Sequence, residues 1–166
     1  DERAIFYARG VLETVKKLRW YPDIIHCQGW ISAFVPLYLK KAYQEEPSFR
    51  DSKVIFSLFN DESQSSLSEN IGEKVLLKTI DKEDVEIITQ PSANFQDLYK
   101  LAITYSDGII QNSADVNPEL LEYARSLGKP ILDCQSSETC INDINEFYDQ
   151  IWSQGKEEIK DDNEDE

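Results

Sequence analysis

Residues 20–36 carry the sequence WYPDIIHCQGWISAFVP, and this stretch decides the fold. Its first half holds a short apolar run, 23–27, between a proline and a glycine, which is typical of a strand buried on both faces of a parallel sheet. Its second half turns at Gly29 and continues into an amphipathic helix over about 30–44. The two halves form one βα unit, and open α/β sheets bind ligands at the carboxyl ends of such strands. We therefore expect residues 27–30 to lie at the functional edge of the molecule.

The rest of the chain repeats this alternation of strands and helices. Apolar spacing predicts further strands over 53–59, 108–111 and 131–134, and further helices over 2–19, 95–105, 117–127 and 137–153. The first helix is expected to bury a stripe with intervals of three and four residues: Ile5, Ala8, Leu12, Val15 and Leu18. Pro36 falls within the helix over 30–44 and predicts a kink or an early 3₁₀ turn there.

Strands separated by helices predict a parallel sheet with right-handed crossovers. The fold class is therefore α/β, a Rossmann-like sheet with helices on both faces. A chain of 166 residues suits one domain, which we place at 1–155. Within it, 61–92 has a poor pattern and is expected to be a mobile loop followed by an irregular insertion. The segment 156–166 carries seven acidic residues and two lysines, which predicts a solvated, disordered acidic tail.

Composition narrows the functional classes. The net charge is −15, which argues against binding to nucleic acid or to an anionic membrane surface. No apolar run approaches the roughly eighteen residues of a membrane span. Three cysteines without a C-x-x-C pair, beside a single histidine, predict reduced thiols in a cytoplasmic protein, with no metal site and no cofactor. No signal-like leader is apparent. The chain begins with Asp1 rather than Met, so we expect a segment upstream of it.

Small polar residues follow all four predicted strands: Gln28 and Gly29, Asn60 and Asp61, Asn112 and Ser113, Gln135 and Ser136. Amides and hydroxyls at one edge suit hydrogen bonds to sugar hydroxyls, and they offer no nucleophile–base pair. We name six candidate substrate-binding residues and no catalytic residue: Gln28, Gly29, Trp30, Asn60, Asn112 and Ser113. The alternative is that these polar residues cap helices and turns and that Trp30 anchors its helix.

Two other titratable residues have structural interpretations. His26 is the only histidine and lies within an apolar strand, so a core histidine with satisfied hydrogen bonds is expected rather than a general base. Asp107 precedes a strand, which places it at the edge opposite to the candidate residues. The chain contains no glycine-rich phosphate loop and no nucleophile-elbow motif, which makes a generic nucleotide-binding domain the weakest interpretation.

Two stretches resemble the glycogen and starch synthase family, glycosyltransferase family 5. The sequence PDIIHCQGWISAFVPLYLK, residues 22–40, is similar to the family's P-D-[IV]-[IV]-H-x-H-D-W-x-[ST]-[AG]-x-x-P-x-Y-L, with Gln28 and Gly29 in place of the second His and the Asp. The sequence YSDGIIQNSADVNPELLEYA, residues 105–124, is similar to Y-A-D-x-[IV]-[IT]-x-V-S-x-x-Y-x-x-E-[IL]. The strand over 53–59 resembles V-F-T-[IV]-H-N, keeping Asn60 but not the His. The resemblance covers about 1–128.

The resemblance implies part of the N-terminal half of a GT-B glycosyltransferase, in a partial and degenerate form. The family's K-x-G-G-L loop and its nucleotide-sugar domain are absent from this sequence. The implied activity is glucosyl transfer from a nucleotide-glucose to an α-1,4-glucan in glycogen biosynthesis, with a partner protein or a missing domain supplying what this chain lacks for turnover. The family histidine linked to substrate aligns with Gln28, whose amide cannot carry a proton as imidazole does. The alternative is a non-catalytic glucan-binding, regulatory or protein-interaction module on the same scaffold.

Overall fold

The computed structural model describes residues 2–60, 66–77, 79–134 and 140–161, with side chains described as far as 154. The strands of this part are β1 (Ile24–Gln28), β2 (Lys53–Leu58), β3 (Gly108–Gln111) and β4 (Ile131–Asp133). Its α-helices are α1 (Glu2–Lys17), α2 (Val35–Leu37), α3 (Ile71–Val75), α4 (Glu86–Thr89), α5 (Phe95–Thr104), α6 (Pro118–Ser126) and α7 (Cys140–Asp161). Among the elements that the sequence predicted, all but α2 and α7 have the predicted bounds to within two residues. The short helices α3 and α4 were not predicted; they lie in the segment 61–92, which was expected to be irregular.

The four strands form one parallel sheet in the order β1-β2-β3-β4. Gln28 pairs with Ser57, and Leu58 pairs with Gln111. Each connection steps to the neighbouring strand in the same direction, which places the crossover helices on one face of the sheet. The predicted parallel α/β architecture is confirmed.

Helices cover both faces of this sheet. The larger core joins β2 to α1, α2, α5 and α6 through inward side chains such as Val54 and Phe56. On the opposite face, α7 packs Phe147 and Ile151 against the sheet. A Cβ atom at Gly108 would lie 2.9 Å from the Cδ1 of Ile151, so the absence of a side chain at this position lets α7 lie close to β3.

The helix predicted over 30–44 is broken into short pieces. A 3₁₀ turn over Trp30–Ser32 comes first, then α2, then a π-helical turn over Tyr38–Ala42. Pro36 lies in the first turn of α2, where its missing N–H leaves no intrahelical bond unmade. The irregularity expected from Pro36 is therefore present, and the helical segment ends at Ala42.

Two helices differ from their predictions. Leu18 lies beyond the end of α1 and is 69% exposed, so it does not belong to the buried stripe. α7 begins at Cys140 and runs to Asp161, which overlaps residues 156–161 of the predicted tail. Residues 162–166, and with them the rest of that tail, lie outside the described residues. No helix of the described residues has the length and hydropathy to span a bilayer.

The expectation of reduced cysteines is wrong for one pair. Cys134 and Cys140 form a disulfide, with Cα atoms 5.6 Å apart. This separation lies in the usual range for such a bond. The bond joins the residue after β4 to the first residue of α7, whereas Cys27 is a buried free thiol.

The described part of the 61–92 insertion is tied to the domain by α1 and by the π turn. Arg9 donates hydrogen bonds to the carbonyls of Lys74 and Leu76, at 3.1 and 3.0 Å. The Tyr38 hydroxyl donates to the carbonyl of Val75 at 3.0 Å. These donors satisfy carbonyls that the end of the short helix α3 leaves without intrahelical partners. Residues 61–65, where a mobile loop was expected, lie outside the described residues.

Asp107 lies at the amino edge of the sheet, as expected, and is structural. Its carboxylate accepts hydrogen bonds from Lys40 at 2.7 and 2.9 Å and from the Val54 backbone N–H at 2.7 Å. This arrangement ties β2 to the π turn. It lies at the end of the sheet away from the candidate residues.

His26 is also structural, as expected. Its Nε2 lies 2.5 Å from the Ser57 hydroxyl, and its Nδ1 lies 2.6 Å from the Tyr148 hydroxyl of α7. A neutral imidazole offers one donor and one acceptor, and hydroxyl groups can take either role. Burial lowers the pKa of His26, which favours this neutral form. The histidine therefore links α7 to the sheet.

This burial predicts a pH dependence of stability. Because the folded-state pKa of His26 is lowered, the unfolded chain binds more protons between that pKa and about 6.5, and the free energy of unfolding falls as pH decreases through this window. Glutamine does not titrate, so we expect the free energy of unfolding of His26→Gln to fall less than that of the unmodified chain between about pH 7 and about pH 5. Urea unfolding across this range measures both proteins. If the free energy of unfolding changed equally with pH in both proteins, His26 would not be the buried neutral histidine described above.

Candidate functional site

The parallel register brings the ends of β1, β2 and β3 together at one edge of the sheet. Gln28, the last residue of β1, lies in register with Ser57 near the end of β2. The Asn112 backbone N–H, just after β3, donates to the carbonyl of Leu58 at 3.0 Å. Gln28, Asn60 and Asn112 therefore lie at or just beyond the ends of adjacent strands, as the sequence predicted.

The turn after β1 is fixed by Gly29 and Ser32. Gly29 has φ 68° and ψ 173°, a backbone conformation that residues with a side chain rarely adopt. The buried Ser32 hydroxyl donates to the carbonyls of Gln28 and Gly29, at 2.9 and 3.1 Å. This hydroxyl closes the turn, while the Gln28 side chain stays exposed at the edge.

Trp30 begins the 3₁₀ turn and is only partly buried. Its ring meets Phe95 edge to face, with centroids 5.6 Å apart. The Arg3 guanidinium lies over the Trp30 ring, 5.7 Å from the centroid, as in a cation–π pair. Trp30 therefore anchors its turn against α5, and a sugar that stacked on the face occupied by Arg3 would have to displace that guanidinium.

The residues after β3 are partly engaged in local hydrogen bonds. The buried Gln111 side chain donates to the carbonyl of Ser113 at 3.1 Å. The Ser113 hydroxyl accepts from the Asp115 N–H at 3.3 Å, which is a turn-capping role. Asn112 is half-buried and Asn60 is exposed. Asp61, Gln135 and Ser136, which the sequence placed at the same edge, lie outside the described residues.

The described edge offers hydrogen-bonding groups rather than a proton-transfer pair. His26 points to α7, on the other face of the sheet. Cys27 is buried, and burial raises its pKa to about 12, so it is a neutral thiol and not a nucleophile. No group of His, Cys, Asp and Glu among the described residues could hold a metal ion.

Sequence reasoning missed three residues that shape this edge: Arg3, Ser32 and Phe95. Ser32 had a visible signal, because the family pattern has Ser or Thr at that position. Phe95 was assigned only to the apolar stripe of its helix, and its partner across the fold could not be read from spacing. Arg3 contacts Trp30 because the start of α1 lies near the carboxyl ends of the strands. This proximity is known only from the three-dimensional structure and could not be predicted from the sequence.

Comparison with known proteins identifies a family that matches most of this chain. Residues 1–130 match the starch synthase catalytic domain family. Glycogen synthase from Clostridium perfringens is 33% identical over 122 residues, which is 72% of this chain and 24% of that protein. Glycogen synthase from Chlorobium limicola is 31% identical over 120 residues, 69% of this chain and 24% of that protein. The chain therefore spans about a quarter of the length of these relatives.

A solved structure shares the fold. The catalytic domain of starch synthase IV from Arabidopsis thaliana, bound to ADP and acarbose, matches with a TM-score of 0.59 at 19% identity. The match covers 80% of this chain and 29% of that domain. At this identity the likeness concerns the fold alone.

The turn after β1 yields a stability test. We expect Ser32→Ala to lower the free energy of unfolding by about 1 kcal/mol, because a buried hydroxyl bonded to two carbonyls is removed. Hydrogen exchange at residues 29–33 should rise. Ser153 provides a matched control: its hydroxyl donates to the Asp149 carbonyl four residues earlier, but it is exposed. Ser32→Ala behaving like Ser153→Ala in urea unfolding would show that the hydroxyl does not hold the turn.

Proposed function

Because this chain belongs to the starch synthase catalytic domain family, we propose that it is the glucan-facing part of a glucosyltransferase of α-glucan metabolism. In this proposal the edge at Gln28, Gly29, Asn60 and Asn112 binds the hydroxyl groups of an α-1,4-glucan. A nucleotide-glucose is the donor in the complete reaction. Ser113 and Trp30 border the same site. Ser113 caps the turn that follows β3, and Trp30 places its ring beside the turn that follows β1.

The observation that carries this proposal is the geometry of the β1 turn around Gln28, a side chain that differs from the family pattern. Ser32 and Gly29 hold the backbone so that the Gln28 side chain is exposed at the strand end. An amide at this point can both donate to and accept from a sugar hydroxyl. It cannot take up a proton in the manner of the family histidine. In this proposal Gln28 therefore still binds a sugar hydroxyl but does not transfer a proton.

We further propose that this chain alone does not turn over. Transfer from a nucleotide-glucose leaves a diphosphate, and positive groups aimed at it supply much of the rate. The described edge brings one guanidinium close, that of Arg3, and this group lies over the Trp30 ring. A partner protein or a further domain has to supply the remaining cations.

A second function is favoured by the same turn. With Gln28 and Gly29 in place of the family's His and Asp, the scaffold suits a non-catalytic glucan-binding or regulatory module. The two functions share the glucan site and differ in turnover once the missing half is supplied. Mixing this chain with a nucleotide-sugar domain of a relative and assaying transfer separates them.

Glucan binding is the first test. We expect isothermal titration of the purified chain with maltoheptaose to show saturable heat. Gln28→Ala should weaken the affinity by roughly 5- to 10-fold, the effect of one lost hydrogen bond. Gln150→Ala is the control, since Gln150 is an exposed amide on α7, away from the edge. An unchanged affinity in Gln28→Ala, or no heat from the unmodified chain, would rule out a glucan site centred on Gln28.

Turnover is the second test. We expect no glucose incorporation from ADP-glucose into glycogen by the purified chain, because the described edge lacks a proton-transfer pair and a cation cluster. Radiolabelled ADP-glucose gives the sensitivity needed, and a full-length relative serves as the positive control. Incorporation above background would contradict the claim that this chain is incomplete for catalysis.

A further inference from the structure

A small cavity lies at the amino edge of the sheet, at the end of β1 opposite to the candidate site. It has a volume of about 130 Å³. The loop that precedes β1 and the loop that precedes β2 form two of its walls, and Trp152 of α7 forms the third. Five steps along the chain separate Asp23, at this cavity, from Gln28, which places the two sites about 16 Å apart. A ligand held in the cavity would therefore leave the carboxyl ends of the strands free.

The two loops are fixed to each other and to the core. The Ser52 hydroxyl donates to the Pro22 carbonyl at 2.6 Å, and the Lys53 N–H donates to the Asp23 carbonyl at 2.9 Å. Phe49 anchors the second loop, because its ring is buried in the larger core. The cavity is therefore formed before a ligand arrives, and little ordering of the chain opposes binding.

Aromatic and proline rings supply the apolar part of this cavity. Tyr21 is 61% exposed, and Trp152 is partly buried. Pro22 and Pro47 add two further rings to the lining. Tyrosine and tryptophan offer a large, rigid contact area and lose little conformational entropy when a ligand covers them. The rings therefore suit a ligand that presents a face of C–H groups.

The same cavity carries a buried hydroxyl and two carboxylates. Ser48 lines it and is only 9% exposed, and its hydroxyl makes no hydrogen bond to another residue in the part of the chain that the structure describes. A buried hydroxyl without a protein partner is satisfied by a group that enters the cavity. Asp23 and Asp51 add carboxylate oxygens, which accept hydrogen bonds. The polar groups therefore suit a ligand that carries several hydroxyl groups.

A neutral sugar ring fits this combination better than other ligand classes do. The carboxylates repel an anion, and an apolar ligand would leave the Ser48 hydroxyl without a partner. A cation is disfavoured at Asp51, because Arg50 already faces this carboxylate, with its Nε 3.8 Å from Oδ1. A pyranose presents C–H groups to the aromatic rings and hydroxyl groups to Ser48 and the carboxylates.

We propose that the cavity at the amino edge is a second binding site, which holds one glucosyl unit of an α-glucan. The identity of the sugar rests on the proposed function, whereas the cavity itself shares no residue with the candidate site. A long or branched glucan can reach both edges of the domain, so that a chain held at one edge is at a raised local concentration at the other. The second site binds the glucan and takes no part in transfer.

NMR titration of the full ¹⁵N-labelled chain with maltotriose, up to about 20 mM, tests the inference. We expect the indole N–H resonance of Trp152 to shift saturably, with a dissociation constant on the order of 1 mM. Ser48→Ala should raise this constant by about 5- to 10-fold through the lost hydrogen bond, and Tyr21→Ala by about 10-fold through the lost ring contact. Tyr7→Ala is the matched control and should leave it unchanged, since Tyr7 is 44% exposed but lies on α1, outside the cavity. No shift at Trp152, an unchanged constant in Ser48→Ala, or equal effects of Tyr21→Ala and Tyr7→Ala would overturn the second site.

The same spectra separate this site from the candidate site at Gln28. The side-chain amide resonances of Gln28 and Asn112 report on the carboxyl ends of the strands. Shifts of these amides without a shift at Trp152 overturn the second site and leave the proposed function intact. Shifts at Trp152 that persist in Gln28→Ala support the second site, even where the amides at the strand ends do not move. Tetramethylammonium chloride tests the cation alternative, and tighter binding of this salt than of maltotriose at Trp152 would overturn the assignment to a sugar.

Discussion

The parallel pairing of β1, β2 and β3 is the constraint on which the rest of the structure depends. Because Gln28 lies opposite Ser57 and Leu58 lies opposite Gln111, the polar residues that follow each strand emerge at one edge. A slip of β2 by one residue would turn Ser57 into the larger core, away from His26, and would move Phe56 to the α7 face. The hydrogen bonds from His26 to Ser57 and Tyr148 fit this register, since they require both strand residues to face α7.

The sequence predicted the strands and the edge because both follow from local pattern. Short apolar runs bounded by turn residues identify buried strands, and the alternation with helices requires them to be parallel. The candidate residues could be grouped at one edge for the same reason. Pro36 likewise predicted an irregular helix, because its ring removes the backbone N–H that a regular helix would use. Each of these inferences needed information within a few residues of the feature.

Features that depend on the three-dimensional arrangement of the chain escaped prediction. The apolar spacing of α1 fits a buried stripe, but Phe6, Tyr7 and Val11 form a second stripe, and the sequence does not say which side meets the sheet. An odd count of cysteines argued for free thiols, yet Cys134, just after β4, is bonded to Cys140, the first residue of α7. Arg3 reaches Trp30 only after the start of α1 is placed beside the strand ends.

The apolar outward side of α1 and the candidate site lie in different parts of the fold. The inner stripe of α1 packs on the domain, so its outer face points away from the sheet, whereas the candidate site lies at the strand ends. The closest link between them is the start of α1, where Arg3 lies over Trp30.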